Sequence, residues 1–91
     1  MAVIKIKLIN DRDCIINLDK FQSLRHLSED DDGDCELQLN GTKIGYIHGE
    51  DAAKNLINNI GKALSAIEFD NRGNIVSNCE ITENYEGELW K

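Results

Sequence analysis

Proline is absent from the 91 residues, so slow prolyl isomerisation has no place in the folding of this chain. Long apolar runs are absent as well, none approaching the ~20 residues that cross a bilayer, which excludes a transmembrane helix. Basic residues are scarce: 10 stand against 17 acidic ones, for a formal charge of −7. Such a chain repels phosphate, which argues against direct contact with DNA or RNA and against an anionic membrane surface. The cysteines, Cys14, Cys35 and Cys79, are odd in number and far apart. Residues 1–7 alternate apolar and basic side chains, a strand pattern and not a signal peptide. The three thiols are therefore expected to be reduced, in a cytoplasmic protein.

Ninety-one residues make one domain, with little material left over for a deep active site. Ile4, Ile6 and Leu8 alternate with Lys5 and Lys7, and Cys14, Ile16 and Leu18 resume the alternation after a polar turn at Asn10-Asp11-Arg12-Asp13, which predicts a first hairpin. Residues 19–27 are ambiguous between a helical turn and a bent strand, and we favour the strand. Cys35, Leu37 and Leu39 alternate before Asn40-Gly41, and Ile44, Tyr46 and His48 alternate after it. Asn-Gly between two alternating runs predicts a hairpin, because both central residues of a type I′ turn need positive φ.

One long helix is expected over about residues 50–67. Ala53, Leu56, Ile57, Ile60, Ala63, Leu64 and Ile67 form its apolar stripe, and Glu50 and Asp51 lie at the dipole's positive end. Gly61 weakens its middle and is expected to mark a close approach to the sheet. A turn from Asp70 to Gly73 and a last strand over residues 75–81 follow, with Ile75, Cys79 and Ile81 on one face. The fold class is thus α+β: a small, mainly antiparallel sheet of about five or six strands built from hairpins, with the helix on one face. We place the domain at residues 1–82 and an acidic, aromatic-containing tail at 83–91.

The stretches Ile16-Asn17-Leu18-Asp19-Lys20-Phe21 and Leu37-Gln38-Leu39-Asn40-Gly41, with the helix start Glu50-Asp51-Ala52-Ala53, carry a resemblance. Over roughly residues 3–60 the chain resembles the short flagellar FlbD/SwrD-like family of small regulatory proteins. The resemblance implies a strand pair, a hairpin and a helix, and it brings no catalytic motif. Residues 68–91 have no counterpart in it.

The most conspicuous chemistry is acidic: Glu29, Asp30, Asp31, Asp32, Asp34 and Glu36 lie within eight residues. A calcium loop fails here, because Leu39 falls where a bidentate Glu is required and a strand follows instead of a helix. The run reads as a solvated connection, with a contact surface for a basic partner as the functional alternative and weak divalent-cation binding as a lesser one. Cys14, Cys35, Cys79, His26 and His48 hold the atoms of a zinc site but lack Cys-x-x-Cys or His-x-x-x-His spacing. The cysteines fit inward strand positions, and no neighbouring motif would activate a Cys-His pair. Gly41, Gly45 and Gly49 surround a hairpin strand and do not form a phosphate loop. Tyr85 and Trp90, set among glutamates, either dock back on the core or anchor a partner.

We therefore expect no catalytic residue, no metal and no cofactor. The expected function is that of a small acidic regulatory protein binding another protein through Glu29, Asp30, Asp31, Asp32, Asp34, Glu36, Tyr85 and Trp90. In its sharper form it inhibits a nucleic-acid-binding protein by phosphate mimicry, as phage-encoded anti-CRISPR proteins of similar size and charge do. The alternatives are a self-associating assembly module and, further off, a small enzyme or ligand-binding domain.

Overall fold

The computed structural model describes residues 3–9, 12–66, 68–73 and 79–90. In chain order these form β1 (Val3–Leu8), β2 (Cys14–Asn17), a 3-10 turn (Leu18–Lys20), β3 (Leu24–His26), β4 (Asp34–Leu39), β5 (Thr42–His48), α1 (Glu50–Ser65), β6 (Cys79–Tyr85) and β7 (Gly87–Leu89). The α+β class holds, but seven strands divide between two sheets, where one sheet of five or six was expected. The first sheet has the order β2-β1-β6 and the second β3-β4-β5-β7. Among the described residues no helix is long and apolar enough to cross a membrane.

Alternation explains the first sheet. Ile4, Ile6, Leu8, Cys14 and Ile16 are buried, whereas Lys5 and Ile15 on the opposite face are exposed. β1 runs antiparallel to β2, and its other edge takes β6 in parallel, with Ile4 opposite Cys79. A parallel neighbour needs a long crossover, and here that crossover contains β2, the strands β3, β4 and β5 of the second sheet, and the helix.

The second sheet is organised by Asn40. Asn40 and Gly41 take φ values of 53° and 83°, as a type I′ turn requires, and join β4 to β5. The Asn40 side chain also reaches back along the chain. Its Oδ1 accepts from the backbone N–H of Gln22 (2.7 Å) and Ser23 (3.0 Å), and its Nδ2 donates to the Lys20 carbonyl at 2.8 Å. This clamp resolves the ambiguous segment: a 3-10 turn, three residues outside any regular element, and then β3 paired on β4.

α1 lays Ala53, Leu56 and Ile60 into the core, with Ile57, Ala63 and Leu64 half-buried beside them, against β3, β4, β5 and β6. Fully burying a side chain of this size contributes about 1.5–3 kcal/mol, so this stripe holds the helix to the sheet more than its own propensity does. Gly61 is not a contact point: it is exposed, and a Cβ added there meets nothing within 4 Å. The turn from Asp70 to Gly73 forms, closed by Gly73 N–H donating to the Asp70 carbonyl at 3.1 Å. Asn10 and Asp11 of the expected turn, the helix end at Ile67, Ile75 and the side chains of Cys79 and Ile81 lie outside the described residues.

The segment expected to be a tail is woven into both sheets. Residues up to Tyr85 complete β6 in the first sheet, and Gly87–Leu89 cross to the second as β7. Tyr85 and Leu89 are core residues, 5% and 4% exposed. The β5–β7 pair packs backbone on backbone. Gly45, at φ +144°, faces Leu89, and any Cβ there would run into the Glu88 carbonyl oxygen. A Cβ on Gly87 would strike the Tyr46 carbonyl oxygen in the same way.

Candidate functional site: an acidic cleft on the outer face of the second sheet

The acidic loop is not six free carboxylates. Asp30 Oδ1 accepts from the backbone N–H of both Asp32 and Asp34 at 2.9 Å, and Gly33, at φ +80°, donates its N–H to the Asp30 carbonyl at 3.0 Å. Asp and Asn favour such tight turns because the side chain mimics a backbone acceptor. Glu29 Oε1 accepts from Glu50 N–H at 2.7 Å, and so caps a helix whose N-cap residue, Gly49, has no side chain to do it. Glu36 sits on the outer sheet face, where it accepts from Gln38 Nε2 at 2.8 Å and lies 3.8 Å from the Lys43 ammonium. Asp34 accepts from the Nδ1–H of His48 at 2.9 Å. Asp31 and Asp32 are exposed.

Strand alternation puts Asp34, Tyr46 and His48 on the outer face, opposite the buried Cys35 and Ile47. The carbonyl of Glu86, the residue between β6 and β7, accepts from the His48 backbone N–H at 2.7 Å, and β7 places Glu88 across from Tyr46. The result is an open cleft of about 500 Å³ lined by Asp32, Asp34, Tyr46, His48, Glu86, Gly87 and Glu88. No Lys or Arg is found among the described residues that line it. Tyr46 O–H makes a long contact of 3.5 Å to Glu88 Oε2.

Electrostatics follow from this crowding. The hydrogen bond to Asp34 holds the His48 pKa above its ordinary 6.5, aided by the charges of Glu86, Asp34 and Glu29 and opposed by partial burial of the ring. The Cys35 thiol is pushed up by burial first, then by the carboxylates of Glu29, Glu50, Asp30 and Asp34. It stays protonated and a poor nucleophile, on the opposite face of the sheet from His48.

Among the described residues the one grouping with the spacing of metal ligands is Asp30, Asp32 and Asp34, whose oxygens lie within 4.8 Å of one another. Two backbone N–H groups hold the Asp30 carboxylate in place, and the His48 imidazole holds that of Asp34.

The sequence-expected residues therefore separate. Asp32 and Asp34 line the cleft, Asp31 stands beside it, and Glu29, Asp30 and Glu36 serve the fold around it. Tyr85 is in the core, its hydroxyl accepting from Asn59 Nδ2 at 3.0 Å, so it offers no anchor to a partner. Trp90 is 45% exposed, pinned by its N–H donating to the Ile44 carbonyl, with the Lys43 ammonium 5.1 Å from the ring centroid. Tyr46, His48, Glu86 and Glu88 were missed as site residues. The signal available was the strand period, which puts Tyr46 and His48 on one face, and the Glu-x-Glu spacing of residues 86 and 88.

No protein-family model, curated protein or solved structure matches this chain.

Proposed function

We propose that the chain is a non-enzymatic binding protein that takes a basic protein partner at the acidic cleft, with Trp90 as an apolar contact beyond its rim. The observation that carries this reading is the cleft itself: four carboxylates, from Asp32, Asp34, Glu86 and Glu88, around a tyrosine and a histidine, with no Lys or Arg among the described residues that line it. Such a surface steers cationic segments and rejects anionic ones. In its sharper form the partner is a nucleic-acid-binding protein whose phosphate-binding surface the carboxylates occupy. The unreactive Cys35, turned away from His48, favours binding over catalysis. Cys14 and Cys35, buried and outside any disulfide, suit a reducing compartment such as the cytoplasm.

The test is anisotropy with a labelled nona-arginine peptide, set against a duplex DNA oligonucleotide, at low and at physiological salt. The peptide should bind, and its affinity should fall with salt. Asp32→Asn with Glu86→Gln and Glu88→Gln should weaken it by about tenfold or more, and the duplex should not bind. Equal affinity in the triple variant would remove the cleft from the reading.

A further inference from the structure

The cleft already contains one group able to carry positive charge. His48 stands half-exposed among carboxylates drawn from several elements: Asp34 on β4, Asp32 and Glu29 in the acidic loop, Glu86 between β6 and β7, and Glu88 on β7. Its ring lies against the Gly33 backbone, where an added Cβ would come within 3.1 Å of Cε1, and its Nδ1–H is fixed on Asp34 at 2.9 Å. The imidazole therefore cannot swing out of the cleft without giving up both contacts.

We propose that His48 is the resident cation of this cleft: its protonated ring competes with a cationic side chain of the partner, so that docking is coupled to loss of a proton from His48. The inference rests on the reading of the cleft as a site for a basic partner. A neutral imidazole can still donate from Nδ1 to Asp34, so deprotonation leaves the geometry intact and changes only the charge a guest meets. Linkage is reciprocal. A guest that binds the neutral form more tightly lowers the proton affinity of His48, and a bound proton lowers the affinity for the guest by the same factor. Because Asp34 and its neighbours raise the proton affinity of His48, the transition falls above pH 6.5, within reach of neutral conditions.

The probe is nona-arginine, whose guanidinium groups do not titrate in this range, so any pH dependence belongs to the protein. Affinity should rise between pH 6 and 8.5, by up to about tenfold per unit where one proton is displaced. His48→Gln should bind across the range with a flat profile. Calorimetry of the unmodified chain in two buffers of different ionisation enthalpy gives a second measure, and should show approach to one proton released per binding event just below the transition. Binding that is salt-dependent but flat with pH, or an unchanged slope in His48→Gln, overturns this inference and leaves the cleft as a binding site. Absence of peptide binding at any pH removes both.

Discussion

Two acidic stretches meet at the cleft, and they contribute in opposite ways. Residues 29–36 are conspicuous in the sequence, yet Glu29 caps α1, Asp30 closes the loop and Glu36 holds the outer sheet face. The C-terminal stretch looks like an unstructured end, yet it supplies two of the cleft's carboxylates and fixes them by strand pairing. A carboxylate that accepts backbone N–H bonds builds the fold, and its charge is partly answered by those donors. A carboxylate held beside other carboxylates, and answered by no more than the long Tyr46 contact on Glu88, is the one a partner can use. Counting acidic residues does not separate the two kinds.

The comparison breaks most severely at β7. Gly45→Ala drives a methyl into the Glu88 carbonyl at a φ that L-residues avoid, so β7 should detach at a cost of about 3 kcal/mol or more. Denaturant midpoints would show the loss, and nona-arginine binding should fall with it while the acidic loop remains intact. A smaller effect is expected in the loop. Asp30→Ala removes the acceptor of two backbone N–H groups and should cost about 1–3 kcal/mol, whereas Asp31→Ala should stay within about 0.5 kcal/mol. Equal losses from the two would mean that the loop is not organised by Asp30. Glu29→Ala should cost about 1 kcal/mol through the lost helix cap, and hydrogen exchange should show the loss as fraying of the first turn of α1.

The regular parts of this fold were legible because they depend on period and turn chemistry. The β1–β2 and β4–β5 hairpins and the apolar stripe of α1 follow from alternation, from Asn40-Gly41, and from helical spacing at Leu56 and Ile60. What was not legible depends on pairing between distant residues. Nothing local in Asn40 announces that its amide will clamp residues 20–23, or in Glu29 that it will cap a helix starting 21 residues later. Tyr85 among glutamates resembles a surface aromatic until β6 is paired beside β1 and turns it inward. Half of the cleft was hidden for the same reason: Glu86 and Glu88 become neighbours of His48 only once the chain changes sheets at residue 86.

Gly61 offers a control that leaves both acidic stretches alone. It lies in the exposed middle of α1, its φ is ordinary, and nothing stands within 4 Å of where a Cβ would be. Gly61→Ala should stabilise the fold by about 0.5–1 kcal/mol, partly by restricting the unfolded chain, without altering peptide affinity. A loss of stability would place an unseen contact on that helix face.

The smallest expected effect is also the most specific to the region where the two stretches touch. His48 binds a proton more tightly in the folded chain than at its ordinary pKa of 6.5, because Asp34 accepts its hydrogen bond and Glu86 and Glu29 add negative charge. A group whose pKa is raised on folding stabilises the folded state fully below its unfolded pKa, and that contribution disappears as pH rises through the folded value. The window therefore opens at about pH 6.5 and extends upward. The contribution is modest, because the ring is half-exposed and water screens its charges. Melting temperatures of the unmodified chain and of His48→Gln should therefore be compared as a difference at each pH. Every other residue is common to both chains, so its contribution largely cancels. The difference should favour the unmodified chain most near pH 6 and shrink towards pH 8.5. Asp34→Asn removes the charged acceptor while keeping an oxygen for the ring N–H, and it should abolish most of the trend even with His48 present. If the difference were constant with pH, the His48–Asp34 contact would be a neutral hydrogen bond alone.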